Sequence, residues 1–562
     1  MNTFEGHNGS ANREMPPRLS ADECNTVQQA IDAEIEEVQP PPSSESTRML
    51  RTRRNAYALI NAWFPAELMV AIFYEIVITS RYTPYFADKS FGGYNFSHEW
   101  VVVSHVCQVW RTIALGTPRL WEGISLSNPD VTALMLQRSG TSPISIDYRS
   151  WSNTDEPIST LPIALSHVNR AFEISLIMPS RELRKLVSKH LTEPMPFLKR
   201  LELWTSDPST EGMPRFLSPR GLEGATALRR LVLSHVGFPP HVLLPTTLTE
   251  LILYHLPEEL TVMQMIDLLE PLENLRVLLI EGALRPDAPD PTRPPDLRRL
   301  SPRTGLSNLH LSAPARQRSD FMSRFPITFE TQTVLLSYPE TLDDLRFGAL
   351  LRPVYGAPGL LRGLSVTISD GINIEAYITP DFRMLHPEMC FCVSVEPPEG
   401  SNLPRDETLC DFCEKMPLDS VERLSVESTS DDAELGEATA QLLTAHLPAV
   451  RFLTVQREAV KHVLRAMHRQ ADGSGPAFPS LRTLRVYNSH ETEKQLLSSI
   501  ADCLVARKAS GKAVELEELN IDDKLAPAES LRDPEDLKSW ELPREMFSFR
   551  LPPEFAATSE SV

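Results

Sequence analysis

The sequence is poor in glycine, with 23 in 562 residues, and in cysteine, with seven. Seven cysteines over such a length are too sparse for a disulfide-stapled secreted scaffold, so a reducing compartment, cytoplasm or nucleus, is expected. No run of about 18 or more apolar residues occurs, so no membrane span is expected. The N-terminus shows neither a basic n-region nor an apolar core, so no secretory signal is read there. Positive charge is also short: 55 Lys and Arg against 75 Asp and Glu leave a formal charge of −20. Nucleic acids and anionic lipid surfaces both call for a positive footprint, so neither is expected as a partner. No phosphate-binding glycine loop, nucleophile elbow, zincin helix or kinase signature occurs. The chain is therefore read as a non-enzyme without cofactor or metal.

Proline is what the chain has in excess, 48 residues, against a typical share of about 5%. Ser20-Ala21-Asp22-Glu23 fits a capping box that opens a helix carrying Val27, Ile31, Ile35 and Val38 and stopping at Pro40-Pro41-Pro42. A second helix is predicted near 47–61, with Arg48, Arg51, Arg53 and Arg54 as a solvated face.

Residues 62–125 read as a small helical module. Pro65 suits the first helical position and Glu67 complements the first turn. Leu68, Ile72, Phe73 and Ile76 follow at helical spacing. After a loop rich in aromatics and glycine, Val103, Val106, Cys107, Trp110, Ile113 and Ala114 share one face of a predicted second helix. Thr117-Pro118-Arg119-Leu120-Trp121 closes the unit.

Three blocks in order, FPAELMVAIF, VSHVCQVWRTIA and TPRLW, resemble the F-box in the form common in F-box proteins of mushroom-type fungi. Phe64 stands where leucine is usual, and the inter-helix loop is longer than in the minimal motif. The resemblance implies a plug of about three helices that docks on a Skp-type adaptor, and through it on a cullin–RING ubiquitin ligase. By motif position it implies adaptor-binding roles for Phe64, Pro65, Leu68, Ile72, Val106, Trp110 and Trp121. The sequence leaves open which of these face the adaptor and which the module's own core.

Beyond the module a short motif recurs, apolar-x-x-apolar-x-apolar, as in Leu198-Lys-Arg-Leu201-Glu-Leu203 and Leu481-Arg-Thr-Leu484-Arg-Val486. Its central residues fall at 144, 174, 201, 231, 251, 278, 309, 335, 364, 393, 424, 453, 484 and 519, a mean step near 29. The alternating pair marks a strand with one inward face. Helices are predicted between strands, at 181–191, 434–446, 457–469 and 492–508; units in 285–420 are expected to be less regular. A period near 29 with a short strand resembles a degenerate leucine-rich repeat, a strand/helix solenoid curved like a horseshoe. Prolines then punctuate the units.

In that frame Cys390 falls on a strand and acts as a small buried hydrophobe, and Cys410-x-x-Cys413 sits at helix-like spacing, against a zinc reading of Cys390-x-Cys392 with Cys410-x-x-Cys413. Residues beside the inward pair form the other strand face. From it Trp204, Tyr254, Glu281, His310, Glu427, Arg485 and Tyr487 are the candidate target-binding residues, an aromatic and polar mixture suited to protein recognition.

The fold expected is α/β: a mostly disordered segment with a short helix (1–46), a lead-in helix and F-box-like module (47–125), a repeat solenoid (126–523) and an acidic tail or cap (524–562). The function expected is a substrate receptor of an SCF-type ligase, binding an unidentified target protein. The alternative is a repeat-based interaction scaffold outside ubiquitination.

Overall fold

The computed structural model describes residues 19–37, 45–82, 99–150, 159–205, 217–239, 241–286, 298–337, 347–369, 371–378, 389–395, 405–428, 437–469, 476–489, 491–526 and 531–540. Two compact units divide the chain: Met1–Leu248 with Leu256–Glu258, and Thr249–His255 with Glu259–Val562. Residues 541–562, the end of the expected tail, lie outside the described residues.

The first unit opens with helices α1 (Ala21–Glu37), α2 (Glu45–Ala56), α3 (Leu59–Trp63), α4 (Ala66–Tyr82), α5 (Val103–Val106) and α6 (Gln108–Leu115). The capping box holds: the Ser20 amide donates to Glu23 Oε2 at 2.7 Å and the Glu23 amide to Ser20 Oγ at 3.2 Å. Arg53 and Arg54 of α2 reach Glu34 and Asp32 of α1. The single helix expected over 47–61 breaks instead between α2 and α3. There the Tyr57 and Ala58 amides take tighter bonds to Arg54 and Asn55, and the Asn61 amide group donates to the Asn55 carbonyl at 2.6 Å.

Two further details differ from the expected module. Pro65 precedes α4, and its carbonyl accepts from the Leu68 and Met69 amides at 3.0 and 3.3 Å, so it stands at the cap. The helix expected through Val103–Ala114 is interrupted at Cys107, whose backbone is extended (φ −157, ψ 170). That break turns Val106 out to solvent while Val103 stays buried.

There follow α7 (Pro129–Arg138), β1 (Ile144–Arg149), α8 (Thr160–Leu165), β2 (Ala171–Met178), α9 (Ser180–His190), β3 (Arg200–Thr205), α10 (Pro219–Glu223) and β4 (Arg230–Ser234). β1 to β4 pair parallel in chain order, with Ile174 opposite Leu201 and Leu201 opposite Leu231. The expected marker Ile144 is displaced by two residues, because Ile146 is what faces Ile174. The outer edge of β1 is not left bare: Ser145 and the segment after Trp121 exchange bonds, Ser145 N to Glu122 O at 2.8 Å and Ile124 N to Ser145 O at 3.1 Å.

The second unit contains β5 (Glu250–Tyr254), β6 (Leu260–Thr261), α11 (Val262–Leu269), β7 (Val277–Glu281), β8 (Leu284–Arg285), β9 (Asn308–Ser312), α12 (Ala315–Arg324), β10 (Gln332–Ser337) and α13 (Phe347–Tyr355). It continues with β11 (Gly363–Ile368), β12 (Ile372–Tyr377), β13 (Met389–Val395), α14 (Arg405–Lys415), β14 (Arg423–Ser428), α15 (Glu437–His446), β15 (Phe452–Arg457), α16 (Ala459–Arg469), β16 (Thr483–Tyr487), α17 (Glu493–Ala509), β17 (Glu518–Ile521) and β18 (Lys524–Leu525). Helices α13 to α17 pack in succession, each on the next.

The three apolar positions of the recurring motif have separate jobs. The first closes a turn: the amides of Leu275, Leu306, Val421 and Leu481 bond three residues back, to Leu272, Arg303, Leu418 and Phe478. The second and third enter the strand and are buried, giving the alternating burial of β5, β7, β14 and β16. Between them, the carbonyl two residues before the central position accepts two amides from the following strand: Thr249 from Arg276 and Val277, Glu422 from Arg451 and Phe452, Arg451 from Arg482 and Thr483. Central residues therefore lie directly opposite one another, Leu251 with Leu278 and Leu309, and Leu424 with Leu453, Leu484 and Leu519. Four residues past the central position the chain turns through positive φ at His255, Gly282, Arg457, Asn488 and Asp523.

The middle of this unit departs from chain order. β13, not β11, lies beside β10; β11 lies beside β14; and β12 runs antiparallel to both β11 and β13. Leu335 is displaced by two positions, facing Leu311 while Thr333 faces Leu309. Beyond β17, the short strand β18 pairs antiparallel to it. The turn Pro534–Ser539 packs on α17, with Leu537 buried and Lys508 Nζ donating to the Arg532 carbonyl at 2.9 Å, so this part of the expected tail caps the last helix. Among the described residues no helix is long and apolar enough to cross a membrane.

Candidate functional site

In the first unit, α4 is apolar on two sides. Met69, Phe73 and Val77 recur at i, i+4, i+8 and are buried; Leu68, Ile72 and Ile76, one position earlier, recur at the same spacing and are exposed. The ring of Phe73 lies 5.1 Å from that of Trp110 and completes the inner side. Among the described residues the inner row fills the core and the outer row stays exposed.

The seven residues assigned to adaptor binding separate accordingly. Phe64 (44% exposed), Leu68 (50%), Ile72 (38%) and Val106 (56%) are presented to solvent, as is Pro65. Trp110 is half-buried, its indole N–H donating to Asn61 Oδ1 at 2.7 Å. Trp121 is inside the module: it is 4% exposed, its N–H donates to the Ala114 carbonyl at 2.9 Å, and its ring meets that of Trp100 edge-on at 4.9 Å. Trp121 therefore shapes the surface without forming it. The Tyr74 hydroxyl likewise braces the closing segment, donating to the buried Glu122 at 3.0 Å.

Sequence reasoning missed Leu59, Ile60, Trp63 and Val102, all large apolar residues left exposed in the same unit. A broken lead-in helix is the signal that would have found the first three, since α3 is too short to hide both of its sides. The Trp63 indole N–H donates to the Leu19 carbonyl at 3.1 Å, tying α3 to the start of α1.

The second surface is the half-exposed strand face. Trp204 stands on such a face of the first unit, and the other six candidate target-binding residues stand on that of the second. Register brings Tyr254, Glu281 and His310 together: Tyr254 faces Glu281, and His310 faces Leu279, two residues before Glu281. Glu427 and Tyr487 are both aligned with Gln456, and Arg485 is aligned with Thr454. Strands β10 to β13 separate these two groups within the sheet order.

The two groups differ electrostatically. Burial holds the His310 imidazole below its usual range, the Glu281 charge acting in the opposite sense. Glu281 Oε1 also lies 3.5 Å from His255 Nε2. In the other group, Arg485 Nη2 sits 3.1 Å from Glu518 Oε1, Arg457 Nε 3.6 Å from Glu427 Oε1, and the Tyr487 hydroxyl donates to Asp523 Oδ1 at 3.1 Å. Burial and that bond to a carboxylate push the Tyr487 hydroxyl up.

A third polar group, unforeseen because β12 was unforeseen, joins β12 and β13. Tyr377 O–H donates to Glu375 Oε2 at 2.5 Å, Asn373 Nδ2 to Glu375 Oε1 at 3.1 Å, and the Cys392 thiol to Asn373 Oδ1 at 3.1 Å. Burial pushes the Cys392 thiol up to about 12, which keeps it protonated and poorly nucleophilic. Cys390 and Cys413 are buried, and burial pushes the Cys413 thiol up to about 12 as well. Among the described residues no three His, Cys, Asp or Glu side chains converge as a metal site would require.

No model of a known protein family matches the chain, and no curated protein matches its sequence. The case for both surfaces rests on the residues described above.

Proposed function

We propose that this chain is the substrate-receptor subunit of an SCF-type ubiquitin ligase. Its helical module docks on a Skp-type adaptor, which links it to a cullin–RING ligase, and its strand face holds a target protein. The observation that carries the reading is the outer row of α4, Leu68, Ile72 and Ile76, exposed beside a filled core and accompanied by Phe64 and Val106. Contiguous exposed apolar surface on a small module marks a place where another protein binds. The three ordered sequence blocks that resemble an F-box favour a Skp-type adaptor as that protein.

For the remainder, parallel in-register strands at steps near 29 with helices stacked in succession support a leucine-rich-repeat-like solenoid of horseshoe form. The chain contributes no covalent chemistry in this reading. Its work is to hold a target lysine close to a ubiquitin-loaded partner, an effective-concentration effect.

The test is a pull-down of purified full chain with a Skp-type adaptor, repeated with Leu68→Asp and Ile72→Asp after circular dichroism shows both variants folded. Wild type should bind and both variants should lose binding. Absence of wild-type binding would sink the ligase reading and leave an interaction scaffold.

A further inference from the structure

We propose that the adaptor-docking surface begins upstream of the F-box-like blocks, on α3, and that Asn61 is the positioning residue that holds α3 in place; this deepens the docking reading and rests on it. α3 is amphipathic in the reverse sense. Leu59, Ile60 and Trp63 are exposed, while Asn61 and Ala62 are half-buried. A helix that packed only on its own module would turn the apolar set inward. The chain stays exposed at every residue from Trp63 to Leu68, so α3 runs into the outer row of α4 with no buried residue between them. That continuity gives α3 the same occupant as α4, the apolar surface of a Skp-type adaptor.

The inward side of α3 carries hydrogen bonds instead. Asn61 Nδ2 donates to the Asn55 carbonyl at 2.6 Å, where α2 ends, and Asn61 Oδ1 accepts from the Trp110 indole N–H at 2.7 Å. Nδ2 also lies 3.7 Å from Cys107 Sγ, at the break that turns the neighbouring Val106 outward. The Trp110 ring in turn lies 5.1 Å from that of Phe73, on the inner row of α4. One carboxamide therefore ties together the end of α2, α3, the α5–α6 break and, through Trp110, the core side of α4. The indole needs an acceptor and the Asn55 carbonyl needs a donor, and a carboxamide offers both.

Trp63 is fixed as well, since its indole N–H donates to the Leu19 carbonyl at 3.1 Å. An exposed ring already held in place loses little freedom when a partner covers it. Tryptophan is also among the residues that most often anchor protein interfaces.

The probe is a purified Skp-type adaptor titrated against the full chain, each variant first shown folded by circular dichroism. Ile60→Asp and Trp63→Glu should each weaken binding by about tenfold or more, whereas Leu134→Asp, at an exposed apolar position on α7, should leave it within about threefold. Asn61→Asp keeps the acceptor for Trp110 and sets a carboxylate against the Asn55 carbonyl, and it should also weaken binding by about tenfold. A double-mutant cycle separates positioning from general damage: once Trp63→Glu has removed the α3 contact, adding Asn61→Asp should cost less than about threefold more. If Asn61→Asp fails to fold, the shorter Asn61→Ser takes its place, and the two exposed variants test α3 on their own. Binding that ignores both Ile60→Asp and Trp63→Glu would overturn the proposal and leave the α4 surface standing. An Asn61→Asp loss of the same factor in both backgrounds would overturn the positioning role. A wild-type chain that sediments as a dimer and becomes monomeric with Trp63→Glu would give α3 to a second copy in place of the adaptor. No adaptor binding by wild type would overturn the docking reading and this extension of it together.

Discussion

Leu68 and Met69 are joined by one peptide bond and have opposite environments: the first is 50% exposed, the second 2%. One 100° step around α4 carries the chain from a surface that can bind to a core that cannot be spared. Met69→Ala should destabilise the module by about 2–5 kcal/mol through lost burial and a residual cavity. Leu68→Ala should cost no more than about 0.5 kcal/mol, as exposed substitutions do, while weakening adaptor capture. Urea unfolding followed by tryptophan fluorescence, run beside the pull-down, reads both. Equal destabilisation by the two variants would remove the distinction on which the docking reading stands.

Gly282 turns at φ +56, and a Cβ built there would lie 2.3 Å from His255 Nδ1. Gly282→Ala therefore meets both a backbone penalty and a side-chain clash, and should cost about 1–3 kcal/mol. In Gly282→Ala with His255→Ala the clash is gone and the backbone term stays, so the double variant should recover part of the loss. A double-mutant cycle on unfolding midpoints measures that coupling; strict additivity would mean the histidine simply swings aside.

Arg507 of α17 is buried, and its guanidinium donates to the carbonyls of Ala477, Phe478, Leu481 and Val514. Arg507→Met keeps much of the stem and leaves those carbonyls without a donor, so a loss of about 2–4 kcal/mol is expected. Arg507→Lys offers three donors in place of a planar fork and should fall between the two. Thermal denaturation of the three proteins gives the order.

His310 predicts a pH dependence. Its folded value lies below the ordinary one because of burial, so from about pH 6.5, the unfolded value, down to the folded value the unfolded chain binds more protons. Stability is complete above that window and is lost as the pH falls through it. His310→Gln should make unfolding midpoints at pH 5 and pH 7 differ less than they do in wild type. His167 and His190 are lowered by burial too, so the slope should shrink and not vanish. An unchanged difference would mean that His310 protonates as freely in the folded chain as in the unfolded one.

Much of the strand array was legible because burial alternates along strands such as β3, β5, β7, β14 and β17, and a Leu-x-Leu pair announces that alternation without any knowledge of neighbours. The central residues Leu251, Leu278 and Leu309, and later Leu424, Leu453, Leu484 and Leu519, lie opposite one another as their spacing suggested. Strand direction was not legible, since alternation reads the same in both directions. The segment Ile372–Tyr377 therefore gave no sign that it runs backward between β11 and β13. The two sides of α4 were hidden for a related reason. In AELMVAIFYEIV nearly every direction is apolar, so helical period alone names no inner side; only the packing of Phe73 against Trp110 does.

The reversed strand also governs the order in which this chain becomes stable. Leu424 meets Leu453 after 29 residues of chain, but Leu335 meets Val393 only after 58. Ring closure over the longer span costs only about 0.6 kcal/mol more in entropy per doubling, yet it postpones the pairing. During synthesis β10 leaves the ribosome long before the strand that covers its edge, with β11 and β12 made in between. Pairing on the open edge of β10 is therefore expected to wait until β13 has been made. A fragment ending between residues 338 and 388 leaves β10 with a naked edge and should self-associate more than the full chain does.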